Sequence, residues 1–230
     1  MHKPVQLKID LTMRRLFLAG SLLFLVLTSF AQKTVYDANA TKRTVGSFHG
    51  VDASAGIQVL ISQGNEEGVA VSVSDAQYAD RIRTEVKNGV LHIYRDSDWR
   101  FWNQLKNFRA TVYVSFKDLD KIEVSSGASV KGDIKADNLT THQSSGGVVY
   151  LKGSVAKLKS DASSGGMLRA YELSADYLTA DVSSGGGVEV TVNKEVSAEA
   201  SSGGYVRYKG QALIRDISTS SGGSVKRIKE

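Results

Sequence analysis

Between residues 124 and 226, apolar residues return at fixed places around a polar corner. The corner is Ser144-Ser145-Gly146-Gly147, repeated at 163–166, 183–186, 201–204 and 220–223, with Ser125-Ser126-Gly127-Ala128 as a near copy. Successive corners are 19, 19, 20, 18 and 19 residues apart. Two places after each corner stand Val130, Val149, Leu168, Val188, Val206 and Val225. Five places before the later corners stand Leu139, Leu158, Leu178 and Val196. Immediately before the corners are Val124, Ala162, Val182 and Ala200, with Gln143 and Thr219 as interruptions. Side chains alternate between the faces of a strand, so offsets that stay apolar mark the inward side.

A near-constant step over more than 100 residues predicts stacked coils, not a flexible Gly/Ser linker, which carries no hydrophobic register. Helical repeats usually need more than about 30 residues per unit, so this shorter step predicts a parallel β-helix. No proline follows Pro4, so none removes a ladder N–H. The corner glycines suit tight bends and close approach between coils. A phosphate-binding loop would need GxxxxGK[ST] between a strand and a helix, and that pattern is absent.

The first half carries the same strand signal less regularly. Segments 57–61, 69–73, 90–94 and 110–116 read as strands, separated by turn signals at Gln63-Gly64-Asn65 and Asn88-Gly89. Residues 75–86 read as a short helix or an irregular crossing, and 32–44 as a polar lead-in. The expected domain is a single all-β solenoid over 45–230, irregular over 45–120 and repeating over 121–230.

Ahead of it, Arg14-Arg15 precede an apolar run at 16–27, with small residues at Ser29 and Ala31. This reads as a signal peptide over 1–31, cleaved before Gln32, with Met13 as an alternative start. The run is shorter than the roughly 20 residues needed to span a bilayer. An exported chain without cysteine must fold without disulfides, and it offers no thiolate chemistry. The formal charge of +5 is weighted by the leader. Setting aside Lys3, Lys8, Arg14 and Arg15 against Asp10 leaves 25 of the 29 basic and 23 of the 24 acidic residues. That balance gives no case for nucleic acid as a partner.

Candidate chemistry is sparse. His142 lies beside Ser144 and Ser145, and Asp161 takes its offset one repeat later, but a triad requires a fixed nucleophile, base and acid with an oxyanion hole. His142 also shares its column with Glu123, Asp161, Asp181 and Glu199, so it reads as one variant of a repeated polar position. Stacked carboxylates repel unless solvent, a cation or basic neighbours intervene. The calcium-binding nonapeptide is absent, as are cysteine ligands and HExxH, so no metal, cofactor or catalytic residue is assigned.

Two features could bind a partner. Three places after the corners stand Lys131, Tyr150, Arg169, Glu189, Arg207 and Lys226, a mostly basic stripe suited to an anionic polysaccharide. The simpler use of such a stripe is a solvated, solubilising face. Separately, Trp99, Phe101, Trp102 and Phe108 cluster between two strands. Burial preference favours folding them over an open end of the core, while exposure would let them stack on a sugar or a partner.

The leader, the irregular β half and the repeated Ser-Ser-Gly-Gly corners, beginning at Ser125-Ser126-Gly127, resemble the head GIN domain family of auto-transporter adhesins over roughly 48–226. The resemblance implies a single-stranded, right-handed parallel β-helix shaped like pectin lyases. It also implies a secreted or envelope protein of a Gram-negative bacterium. The sequence departs from a true auto-transporter because the repeat runs to Val225, with no following set of barrel strands. Export by signal peptide to the periplasm, the outer-membrane surface or the medium is therefore expected. A non-enzymatic protein binding a glycan or an envelope protein is the leading expectation. A polysaccharide lyase or hydrolase on the same fold and a self-associating scaffold are the alternatives.

Overall fold

Each Ser-Ser-Gly-Gly corner folds as a left-handed two-residue turn. The second serine has φ of 47° to 51° and the first glycine 70° to 78° at all six corners from 125 to 223. The N–H of the last corner residue donates to the carbonyl of the first serine, at 2.7 Å for Gly147 and 2.8 Å for Gly166. This is the mirror-image turn that matches strand twist. The two glycines do different work. The first supplies positive φ; the second gives up its side chain because the preceding coil lies against it. A Cβ on Gly166 would stand 2.3 Å from the Gln143 carbonyl oxygen, and one on Gly223 2.0 Å from that of Ala200.

Corners stack through backbone groups, not through serine hydroxyls. The first-glycine N–H donates to the second-serine carbonyl one coil further on, Gly146 to Ser164 and Gly165 to Ser184 among them, at 3.1–3.2 Å.

The computed structural model describes residues 37–96 and 108–229. The leader at 1–31 and Trp99, Phe101 and Trp102 lie outside the described residues. The regular half is built from β8 (Lys121–Val124), β9 (Ser129–Gln143), β10 (Val148–Ala162), β11 (Met167–Val182), β12 (Gly187–Ala200), β13 (Tyr205–Lys209), β14 (Leu213–Thr219) and β15 (Ser224–Arg227). Neighbouring coils pair in parallel, and Val130, Val149, Leu168, Val188, Val206 and Val225 stand in one register. The first five are fully buried, and Val225, on the last coil, is partly buried. Gln143, the interruption beside the corner, is also buried. Ser160 donates to its Oε1 at 3.4 Å while Thr141 donates to Ser160 at 3.0 Å, a small polar chain inside the core.

The first half is interleaved with this stack. Its strands are β1 (Thr41–Arg43), β2 (Gly50–Ala53), β3 (Gln58–Gln63), β4 (Gly68–Val73), β5 (Ile82–Lys87), β6 (Val90–Arg95) and β7 (Ala110–Phe116). β2 lies between β6 and β8, and β3 between β7 and β9, all parallel. The join from β2 to β3 is a further corner, Ser54-Ala55-Gly56-Ile57, with Ala55 at φ 59° and Gly56 at 70°. Only one serine and one glycine of the repeat survive there, which is why the spacing does not show it. The lead-in contributes β1, which pairs antiparallel with β4, and β4 pairs antiparallel with β7. Residues 76–81 form a 3-10 turn capped by Asp75, after which β5 and β6 make a hairpin across Asn88-Gly89. Of the aromatic segment, Phe108 is described: it packs against the core, edge-on to Tyr78 at 6.1 Å and under Arg95 at 5.4 Å.

Candidate functional site

The strands that follow the corners place the basic stripe on one outward face. Lys131, Tyr150, Arg169, Glu189, Arg207 and Lys226 pair residue to residue across six coils, and Leu60 and Tyr113 continue the line below Lys131. Adjacent members are separated by the interstrand spacing of about 4.8 Å. Lys131, Tyr150, Arg169, Arg207 and Lys226 are exposed, while Glu189 is partly covered.

Several of these side chains lean on one another. The Arg169 guanidinium lies over the Tyr150 ring at 5.9 Å, and that of Arg207 over Tyr205 at 4.5 Å. Arg207 also reaches Glu189 at 3.5 Å. The Tyr205 hydroxyl stands 3.5 Å from Glu189 Oε1 and 3.6 Å from Met167 Sδ. Gly187 makes this possible, because a Cβ there would fall 2.5 Å from the Tyr205 ring. Next to the stripe, Lys209 sits over Tyr171 at 5.3 Å. Burial first, and then the Glu189 charge, hold the phenols of Tyr171 and Tyr205 above their ordinary range. Tyr171, Tyr205 and Lys209 thus join the face although the column of offsets did not select them. Tyr205 occupies the place directly after its corner, where Ser129, Val148, Met167, Gly187 and Ser224 are its equivalents, so no recurring residue type marked it. The result is a ribbon of tyrosine rings and guanidinium or ammonium groups in which Glu189 is the one acid of the stripe, with Asp133 and Glu172 flanking Lys152 in the neighbouring column. Guanidiniums held against aromatic faces keep their charge and present donors outward.

The acidic column lies on another face and is longer than the repeats indicated. Register carries it from Glu199 through Asp181, Asp161, His142, Glu123, Asp52 and His92 to Glu85. From Glu85 to Asp161 each acid has a lysine or a histidine beside it. His92 Nδ1 pairs with Asp52 at 2.9 Å, His142 Nδ1 with Asp161 at 3.1 Å, Lys121 with Glu123 at 3.0 Å and Lys87 with Glu85 at 2.8 Å. A recess of about 280 Å³ lined by His142, Ser144, Asp161, Ser163, Asp181 and Ser183 runs beside the corners. His142 and Asp161 supply two of the groups a triad needs, but among the described residues no serine hydroxyl is bonded to His142. Among the described residues no group of three His, Cys, Asp or Glu is placed to hold a metal, and no helix is long and apolar enough to cross a membrane.

Comparison with known proteins matches residues 47–212 to a family described as "Putative auto-transporter adhesin, head GIN domain". A crystal structure from Bacteroides fragilis, named a "putative adhesin", superposes with a TM-score of 0.62 at 19% identity, covering 82% of this chain and 96% of that one. A protein from Parabacteroides distasonis named a "Putative lipid binding protein" gives a TM-score of 0.47 at 18% identity over 84% of this chain and 98% of that one. No functionally curated protein matches the chain.

Proposed function

We propose that this chain, which belongs to the head GIN domain family, is an exported, non-enzymatic β-solenoid that binds an anionic glycan through its tyrosine and arginine ribbon. The observation that carries the reading is the registered stripe from Lys131 to Lys226. Four cations and Tyr150 repeat at strand spacing, and Tyr205 folds onto Arg207 within it. A linear polymer with regularly spaced carboxylates or sulfates would meet a cation in most coils and a ring face between them, a match of charge and of sugar stacking. The family description supports an adhesin-like role, and the leader supports export to the envelope or beyond. A protein with an acidic surface is the second partner class the same ribbon fits.

The test is a glycan-array screen of the purified chain beside an Arg169→Ala/Arg207→Ala variant. The expected outcome is selective binding to acidic glycans that drops about tenfold or more in the variant, consistent with loss of two charge-assisted contacts, with the thermal midpoint little changed. Binding that is equal in both proteins, or confined to neutral glycans, overturns the reading. Cleavage of an acidic polysaccharide by the same preparation would favour the enzyme alternative.

A further inference from the structure

Among the described residues, the outermost strands at the two ends of the solenoid differ. At one end the outermost strands are β1, with Lys42 and Arg43, and β5, with Arg83, Glu85 and Lys87. Charged residues on an edge oppose pairing with another chain. At the other end β15 finishes on Arg227, which pairs with Gln211 and brings a charge to the inward column above buried Tyr208. On β14 the two charges, Arg215 and Asp216, are adjacent and opposite in sign, and Arg215 reaches Glu195 at 3.2 Å. Among the described residues β14 pairs only with β12. Ile214 lies above Val196 and Ile217 above Ala198, so both continue buried core columns. Yet Ile214 is 62% exposed and Leu213 73%.

We infer that the β14 edge is a docking surface for a second copy of this chain, joined by antiparallel pairing of β14 with β14 about a twofold axis between Arg215 and Asp216. The sequence of the strand is complementary to itself in that register. Ile214 meets Ile217, Leu213 meets Ser218 and Arg215 meets Asp216, each contact occurring twice. The irregularity in the β12 pairing falls at Arg215, between Val196 and Ser197, which lets Ile214 and Ile217 both point to the core side. Opposed isoleucines then extend the hydrophobic columns of both solenoids, while on the outer surface each Arg215 stands between Glu195 of its own chain and Asp216 of the second copy. Directly opposed unlike charges favour this register and like charges oppose it. An isologous contact of this kind closes on itself as a dimer and does not propagate. The charged strands at the far end do not offer a matching surface, which argues against a head-to-tail fibre. In such a dimer the two glycan-facing ribbons proposed above would be carried on one particle, but the dimer does not depend on that function.

Sedimentation equilibrium of the purified full chain, over a wide concentration range, tests the inference. Four proteins are compared, each carrying Glu195→Gln to remove the contact of Arg215 within its own chain: that background alone, Ile214→Lys, Arg215→Asp, and the exchange Arg215→Asp/Asp216→Arg. All four carry the same N-terminal segment, so association through that segment would be unaffected by the substitutions. Circular dichroism verifies that each is folded; the substituted β14 positions are exposed, so folding is expected to survive. The expected result is a monomer–dimer equilibrium weakened about tenfold or more by Ile214→Lys and by Arg215→Asp, and restored by the charge exchange. A single-chain mass at every concentration overturns the inference. So does growth beyond the dimer, dimerisation insensitive to Ile214→Lys, or failure of the exchange to restore what Arg215→Asp removes. The single-chain mass would be expected if β14 instead receives an extended segment of another protein.

Discussion

At the scale of single residues, the fold depends on a division of labour between two adjacent glycines. Gly165 has φ of 72° with open space at its Cβ, whereas Gly166 lies against the backbone of the coil before it. Gly165→Ala should cost about 1 kcal/mol, the strain of a left-handed alanine. Gly166→Ala forces a methyl into a carbonyl that cannot move without breaking its ladder, and should cost about 3 kcal/mol or prevent folding. Thermal and urea unfolding of the two variants will show whether this order holds. The sequence displayed both glycines as one motif, and spacing alone could not separate their roles. Nor could it show that the second serine, and not a glycine, takes the first left-handed position. Ala128 and Ile57 occupy the place of Gly166 in earlier coils and are buried there, so the glycine requirement belongs to the later coils.

At the scale of elements, strands β9 to β13 were legible because one buried face repeats them: a slip of one residue would expose Val149, Leu168 and Val188 together. The placement of β2 and β3 between strands that come later in the chain was not legible. Their partners in β6, β7 and β8 are far away in sequence, and no local pattern records which free edge a strand will find. The ionisable pairs on these strands set a pH window for stability. A side-chain hydrogen bond from Lys87 lowers the pKa of Glu85, and one from Lys194 lowers that of Asp176. For Asp37, hydrogen bonds from Ser72, the Asn39 backbone and Tyr113 act in the same direction. Their contributions are present above the usual carboxylate range and are lost as pH falls through the lowered native values. The phenols shift the other way: Tyr94 is raised chiefly by Glu85, and Tyr113, Tyr171 and Tyr205 chiefly by burial. Their contributions are complete below about pH 10 and are lost as pH rises through the native values. The thermal midpoint measured against pH should therefore form a plateau through neutrality with a fall on both sides. A midpoint that climbs steadily into alkali would contradict these assignments.

At the scale of the whole molecule, a solenoid turns a repeated offset into a line on the surface, which makes the candidate face legible in the sequence. The offset gave Lys131, Tyr150, Arg169, Arg207 and Lys226. Tyr205 and Tyr171 became visible only in three dimensions, where the absence of a side chain at Gly187 lets one ring fold down. The same geometry separates the basic ribbon from the histidine and carboxylate column, so a ligand can be located by which line it covers. The most direct measurement is hydrogen–deuterium exchange of the chain with and without an acidic polysaccharide selected on the array. Protection is expected along the post-corner strands, at peptides covering 129–133, 148–152, 167–171, 187–191 and 205–209. Protection centred on the corners and on the column from Glu123 to Glu199, or none at saturating polysaccharide, would contradict the account.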